Sequence, residues 1–470
     1  MVCEPVTRRR VPEQKLELTM TSTHLTTPPV PEENDQMANR VMRKVAIRLI
    51  PFLGLAYFLN YIDRTNISFA KLTMSEDLGL TETMYGLASG LFFVGYILLE
   101  VPSNLALHKF GARRWIARIL VSWGLIAALM AFVPNATWLN IARVALGIAE
   151  AGFFPGIMLY LTFWFPRAVR VRLVGVFMVA LPLSSALGAP ISAAIIQYWH
   201  GLFGLEGWRV MFLVEGIPTV LLGFAAWFYL TDRPRQAKWL TNEERTWLDR
   251  RMTAEHAETA DVGHASARSS LRNPTVWLLG LTYFGIGYGL FAISFFLPTI
   301  VAGFAEQFDT TFSIAQNGLI VAVPFLIASA AMILWTRRSD RVKERMWHVI
   351  APVALATVSV PIAMYMNTPF LTMVVISITA VGIFSALPVF WYLPTTFLTG
   401  AGAAAGIALV NTIGASAGLL APYMTGWLLD ATGSSKAGLW VVGAFMAMAV
   451  ALLLVLRTRL VQVEEQRTTT

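Results

Sequence analysis

The chain has 470 residues, 56% of them apolar and only 14% charged, which excludes an ordinary soluble domain, where about a quarter are charged. Its formal charge of +8 at pH 7 suggests a nucleic-acid partner until the positions of the charges are compared. A lone cysteine, Cys3, excludes intrachain disulfides and multi-thiolate metal sites.

Residues 1–45 are polar, with Arg8, Arg9 and Arg10, the pair Pro28–Pro29 and an acidic patch from Glu32 to Asp35. No apolar run follows the arginines, as a cleaved signal would require, so the segment reads as a disordered cytoplasmic tail. Beyond it apolar stretches recur, each close to the ~20 residues that cross a bilayer as a helix. Hydrocarbon leaves the backbone few other ways to satisfy its polar groups. The expected helices are 46–69, 84–107, 115–133, 138–161, 171–197, 209–230, 275–301, 313–336, 347–366, 371–394, 402–427 and 438–456.

With both termini placed in the cytoplasm, 31 of the 36 Lys and Arg residues fall on the cytoplasmic side. That is the positive-inside pattern, so the basic balance is topological and needs no nucleic acid. A polar central loop, 231–274, divides a bundle at 46–230 from one at 275–456, and 457–470 form a second cytoplasmic tail. The halves echo each other. Leu187-Gly-Ala-Pro190 in helix 5 matches Gly418-Leu-Leu-Ala-Pro422 in helix 11, and Lys109-Phe-Gly-Ala-Arg-Arg114 after helix 2 matches Arg337-Arg-Ser-Asp-Arg341 after helix 8. The expected fold is an all-α membrane protein, twelve transmembrane helices in two pseudo-symmetric six-helix bundles. This is a repeat architecture of transporters, expected to act as a monomer.

An ionised side chain at the bilayer centre costs about 2.5–3.5 kcal/mol on insertion scales, so each one needs a reason. Helix 1 carries Asp63 and Arg64; helix 4 carries Arg143 and Glu150, seven residues and therefore about two turns apart on one face. Four such groups converging on a cavity would balance each other when it is empty. A substrate carboxylate would then take an arginine while a proton neutralises an acid. Asp63 and Glu150 are the candidate proton sites, and Arg143 is the first candidate for gripping a carboxylate in bidentate fashion. The alternative is a pair of permanent salt bridges that lock the helices. Glu100, at the cytoplasmic end of helix 2, is expected to make a structural or gating ion pair with the basic connection after it, while Glu215 in helix 6 fits either role. The second half has no mid-helix charge and offers Tyr283, Tyr288, Trp391, Tyr392 and Asn411, with packing as the alternative for the aromatics. Phe153, Phe154, Phe291, Phe295 and Phe296 either wall a site for an aromatic acid or pack. Neither a Ser/His pair in a helix, nor metal-ligand spacing, nor a cofactor loop is present, so no enzyme, cofactor or metal is expected.

Several runs resemble the anion:cation symporter branch of the major facilitator superfamily. They are Asn60-Tyr-Ile-Asp-Arg-Thr-Asn66, Glu100-Val-Pro-Ser-Asn104 followed by Phe110-Gly-Ala-Arg113, Arg143 through Gly156 with Tyr160-Leu-Thr-Phe-Trp-Phe-Pro166, and Gly406-Ile-Ala-Leu-Val-Asn411. The resemblance spans about 46–456 and is nearest to bacterial permeases for tartrate, sugar acids and aromatic acids. It implies proton-coupled symport of a small organic carboxylate across the cytoplasmic membrane by alternating access. An anion exchanger or exporter of the same fold is the other reading. By the same resemblance Asp63 and Glu150 are the proton-linked acids, and Arg64, Arg143, Tyr61, Trp391 and Asn411 are substrate positions. Glu100, Lys109 and Arg113, with Asp340 and Arg341 in the second half, take gating or structural roles. One departure is that His108-Lys109 stand where the superfamily usually has Asp-Arg, which leaves Glu100 as the expected acidic partner of that gate.

Overall fold

The structure, a computed structural model, describes residues 35–260, 272–363, 365–397 and 401–468, and all their regular structure is helical. Among these residues twelve helices are long and apolar enough to cross a membrane. They run Gln36–Leu78, Glu82–Leu107, Ala112–Phe132, Ala136–Thr162, Phe177–Tyr198, Gly207–Tyr229, Pro274–Ala302, Ile314–Val342, Met346–Ala363, Pro369–Pro394, Ala405–Thr432 and Lys436–Thr458, and are called spans 1 to 12. Each coincides with an expected helix. Being even in number, they return the chain to the side on which it began.

The differences lie at polar ends that hydropathy does not see. Span 1 starts as a helix at Asp35, inside the segment read as a tail, and breaks at Asn66 before continuing as Ile67–Leu78. The final helix, Ser435–Thr468, carries on through most of the second expected tail. The rest of the first tail, 1–34, lies outside the described residues. A third helix, Asn242–Ala260, occupies the central loop where none was expected. Thr241 and Glu244 cap its start reciprocally, the Glu244 backbone N–H donating to Thr241 Oγ1 at 3.2 Å and the Thr241 N–H donating to Glu244 Oε2 at 3.0 Å. Polar contacts hold it against the bundle: Lys44 Nζ lies 2.5 Å and Arg40 Nε 3.7 Å from Glu244 Oε1, and Arg170 pairs with Glu255 at 3.4 Å.

Spans 2 and 11, spans 5 and 8, and the far end of span 1 with span 7 form the seam between the halves. Close approach of spans 2 and 11 depends on glycine. A Cβ on Gly86 would lie 2.2 Å from the carbonyl oxygen of Pro422, so any side chain there forces the helices apart. Hydrogen bonds across the seam cluster at the end remote from the chain termini. Asp430 accepts from the Glu82 and Thr83 backbone N–H groups at 3.2 and 2.8 Å and from the Thr83 hydroxyl at 2.5 Å. The Tyr85 hydroxyl donates to the Phe295 carbonyl, Lys71 Nζ donates to Thr299, and the Ala315 N–H donates to Gln197. The remote end is therefore shut in this conformation.

Candidate functional site

Below that seal, between the two bundles, spans 1, 2, 4, 5, 7, 10 and 11 surround a cavity with about 770 Å³ of atom-free space, its mouth included. The part of it open to the centre of a water is about 80 Å³, below the ~300–1,000 Å³ common for small-molecule sites. Among the described residues Arg64 is the charged side chain on its wall, accompanied by Asn60, Asn411, Tyr57, Tyr61, Tyr96, Tyr283 and Trp391.

Arg64 stands near the end of the first helical segment of span 1, where the break at Asn66 turns the chain. It forms an ion pair with Glu150 of span 4, which has no exposed surface. The guanidinium also lies 5.0–5.3 Å from the ring centres of Phe92, Tyr61 and Tyr96, a cation–π cage that offsets part of its desolvation. Glu150 is the last residue of its helical segment, and Gly152 then bends the chain at φ +81° before Phe153 resumes the helix. That φ is one L side chains rarely adopt, and Ser103 would stand 2.5 Å from a Cβ there. Several polar atoms have no hydrogen-bond partner: Arg64 Nε, Glu150 Oε2 and Asn60 Nδ2. Two of these are donors on residues of the cavity wall, the arrangement an anionic, oxygen-rich solute needs.

Of the substrate positions, Tyr61, Arg64, Trp391 and Asn411 meet at this wall, and Arg143 does not reach it. Arg143 has no exposed surface and is wedged between spans 4 and 2. There Nε donates to the Ala88 carbonyl at 3.2 Å and an Nη to that of Ser89 at 3.4 Å. Its shared face with Glu150 is real, but the neighbour at its level is backbone rather than cavity. Asp63 likewise turns inward, its Oδ2 accepting from Trp123 Nε1 at 2.9 Å and Thr219 Oγ1 at 3.1 Å. The four charges therefore form one ion pair at the cavity and two separately buried groups rather than a single cluster.

Phe154 and Phe291 line the cavity, whereas Phe153 packs on Trp123, Phe296 on Tyr85, and Phe295 is fully buried. Tyr57, Asn60 and Tyr96 were not singled out as ligands; Asn60 opens the motif that contains Arg64, one turn before it, and was the signal available. The gate residues find other partners than expected. Glu100 accepts from Asn411 Nδ2 at 2.7 Å, across the seam, with no ion pair among the described residues. The acid at the connection after span 2 is Asp232, at the end of the first bundle, whose Oδ1 accepts from the Arg113 N–H at 2.8 Å and caps span 3. Lys109 is exposed beside Phe110, Asp340 pairs with Arg345 at 2.7 Å, and Arg341 is exposed. The residues expected at the gate thus meet a helix cap in one half and a local turn pair in the other.

Comparison with known proteins agrees with this architecture. The sequence profile of the Major Facilitator Superfamily matches residues 53–422. A candidate tartrate transporter of Agrobacterium vitis is 46% identical over 423 residues, covering 90% of this chain and 96% of that protein. A candidate metabolite transport protein of Pseudomonas putida, NicT, is 41% identical over 430 residues, covering 91% and 97%. The fold superposes with a TM-score of 0.68, at 16% identity, on a bacterial homologue of the human lysosomal transporter Spinster solved inward-facing and occupied, covering 87% of this chain and 96% of that one. With twelve spans and matches over nearly their whole length, the chain belongs to the Major Facilitator Superfamily of membrane transporters.

Proposed function

We propose that the protein carries a small organic carboxylate, tartrate or a similar hydroxy acid, into the cell together with protons. The observation that carries this is Arg64, the charged side chain of the cavity wall, held in place by Glu150 and keeping a free Nε. A guanidinium that releases Glu150 can take a carboxylate by two parallel bonds, one of them from the free Nε. Glu150 would then lose its counter-charge, and breaking a buried pair by removing one partner costs about 3–5 kcal/mol. A proton on Glu150 removes that cost, so anion and proton bind together. Asn60, Asn411, Tyr61 and the neighbouring tyrosines supply hydrogen bonds for substrate hydroxyls, and Trp391 closes the wall. The two Agrobacterium and Pseudomonas relatives favour an organic metabolite as cargo.

In this reading the sealed remote end faces the outside of the cytoplasmic membrane and both termini lie in the cytoplasm, which the charge distribution supports. Opening of that seal, with closure at the terminal end, completes an alternating-access cycle within one monomer. Asp63 is the second proton-linked acid, acting from within the first bundle, and Arg143 supports span 4 rather than touching the anion.

The test is uptake into proteoliposomes with an imposed pH gradient, offering tartrate, sugar acids and aromatic acids, with internal pH recorded. Tartrate-dependent proton influx, reduced at least ten-fold in Glu150→Gln, is the expected result. Exchange of internal for external anion that ignores the gradient and survives in Glu150→Gln would replace symport by an exchanger.

A further inference from the structure

The proposed cycle leaves other buried acids unused, Glu215 among them. Glu215, in span 6, is 6% exposed and accepts hydrogen bonds from Asn66 Nδ2 at 2.8 Å and Ser192 Oγ at 2.6 Å. One helical turn along the same span, Thr219 donates to Asp63. Three residues beyond Asp63 stands Asn66. Spans 1 and 6 are thus joined by two rungs with a carboxylate at each, Thr219–Asp63 and Asn66–Glu215. Their donors are all neutral: Trp123, Thr219, Asn66 and Ser192. No ion pair from Lys, Arg or His reaches either acid among the described residues, and the nearby Arg64 is committed to Glu150. Asp63 Oδ1 and Asn66 Oδ1, each on a residue 2% exposed, have no hydrogen-bond donor.

A second, smaller cavity lies against the two donors of Glu215. Asn66 and Ser192 line it together with Thr65 and Ser68 of span 1 and Ser294 of span 7, so it straddles the seam between the bundles near the remote seal. The space open to the centre of a water is about 10 Å³, roughly one water site. Ile62, Phe69, Val321 and Phe325 add apolar lining, so the void is polar at the donors of Glu215 and is too small for the carboxylate cargo. The two carboxylates sit on neighbouring rungs between the same two spans, each held by neutral donors alone, so a proton is a fitting neutraliser for the pair.

We propose that Glu215 is a proton-carrying residue that shares a proton with Asp63 and exchanges it with the outer solution through the Asn66–Ser192 cavity when the seam parts. Among the described residues, the titratable groups at this place are Asp63, Glu215 and, beyond Asp63, Glu150 with Arg64. The inference rests on the symport reading and adds to it a separate place where the proton enters, distinct from the place where the anion sits.

Proteoliposomes again give the test, in a form that separates the two ideas. Wild type must first show tartrate-dependent proton influx; without it, or with a sodium gradient driving uptake instead, the symport reading fails before Glu215 is tested. Given that influx, Glu215→Gln is expected to lose pH-driven accumulation ten-fold or more and to flatten the dependence of tartrate exchange on outside pH. Glu215→Asp should restore part of both. A pH profile and proton influx equal to wild type in Glu215→Gln would reduce the residue to a helix strap and overturn the inference. Should Glu215→Gln fail to fold, Ser192→Ala, which strips one donor from the carboxylate, must still shift the midpoint of the pH profile; an unmoved midpoint overturns it equally.

Discussion

Two arginines of the first bundle carry the same charge in opposite circumstances, and substitutions distinguish them. Arg143 gives its donors to the carbonyls of Ala88 and Ser89, so Arg143→Gln strands buried acceptors at about 1–3 kcal/mol each. The expected result is a lower melting temperature in detergent, with KM for tartrate within about three-fold of wild type for the carrier that folds; ten-fold is ~1.4 kcal/mol. Arg64→Lys keeps the charge and the pairing with Glu150 but loses the planar fork. It should raise KM ten-fold or more while melting close to wild type. The opposite assignment, KM rising in the Arg143 variant alone, would return the substrate role to Arg143. Both residues were visible in the sequence as charges in apolar helices. What remained hidden was the neighbour at each level, since two positions seven residues apart share a face without sharing a partner.

At the scale of helices, the seal and the loop helix each have one carboxylate that makes several of their contacts. Asp430 of span 11 serves as a cap for the first turn of span 2 from across the seam. A lost cap costs about 0.5–2 kcal/mol, so Asp430→Ala should shift the balance toward the outward-open form by up to about thirty-fold. Faster maleimide labelling of a Thr299→Cys reporter in a Cys3→Ser background measures this; no change in rate would show that the seal does not rely on the cap. In the central loop, the Lys44 ammonium holds the Glu244 carboxyl below its ordinary value, helped by the Thr241 N–H and Arg40 against the cost of burial. A lowered carboxyl stabilises the folded form above the ordinary pKa of about 4.3, and that contribution is lost as pH falls through the lowered value. Hydrogen exchange of residues 242–255, corrected for intrinsic rate, should therefore rise below about pH 4 in wild type. In Glu244→Gln it should be high already at pH 7. The loop helix escaped the sequence reading because its buried face holds only Trp247, Leu248 and Met252 among charged neighbours, too few apolar residues to mark it.

Over the whole molecule, the twelve spans and the two-bundle plan were legible because each span must be apolar end to end, whatever its partners. The cavity was half legible: Arg64, Tyr61, Trp391 and Asn411 are there, while Asn60 and Tyr96 became ligand candidates only once spans 1 and 2 were placed side by side. Orientation has a direct check in Cys3, the chain's single thiol. In right-side-out vesicles an impermeant maleimide should leave it unlabelled until the membrane is opened by detergent; immediate labelling would invert the topology.

The buried charges Asp63, Lys71, Glu100, Arg143, Glu150 and Glu215, with the half-buried Arg64, all belong to the first bundle, whereas the second faces the cavity with Tyr283, Phe291, Trp391 and Asn411. One half therefore holds the ionic machinery and the other holds much of the surface that meets the cargo's shape. Such a partition lets cargo preference drift by neutral replacements in one half without disturbing ion dependence in the other. A chimaera joined in the 231–273 loop, with a relative's second half, should inherit the donor's choice of acid and keep this chain's response to pH.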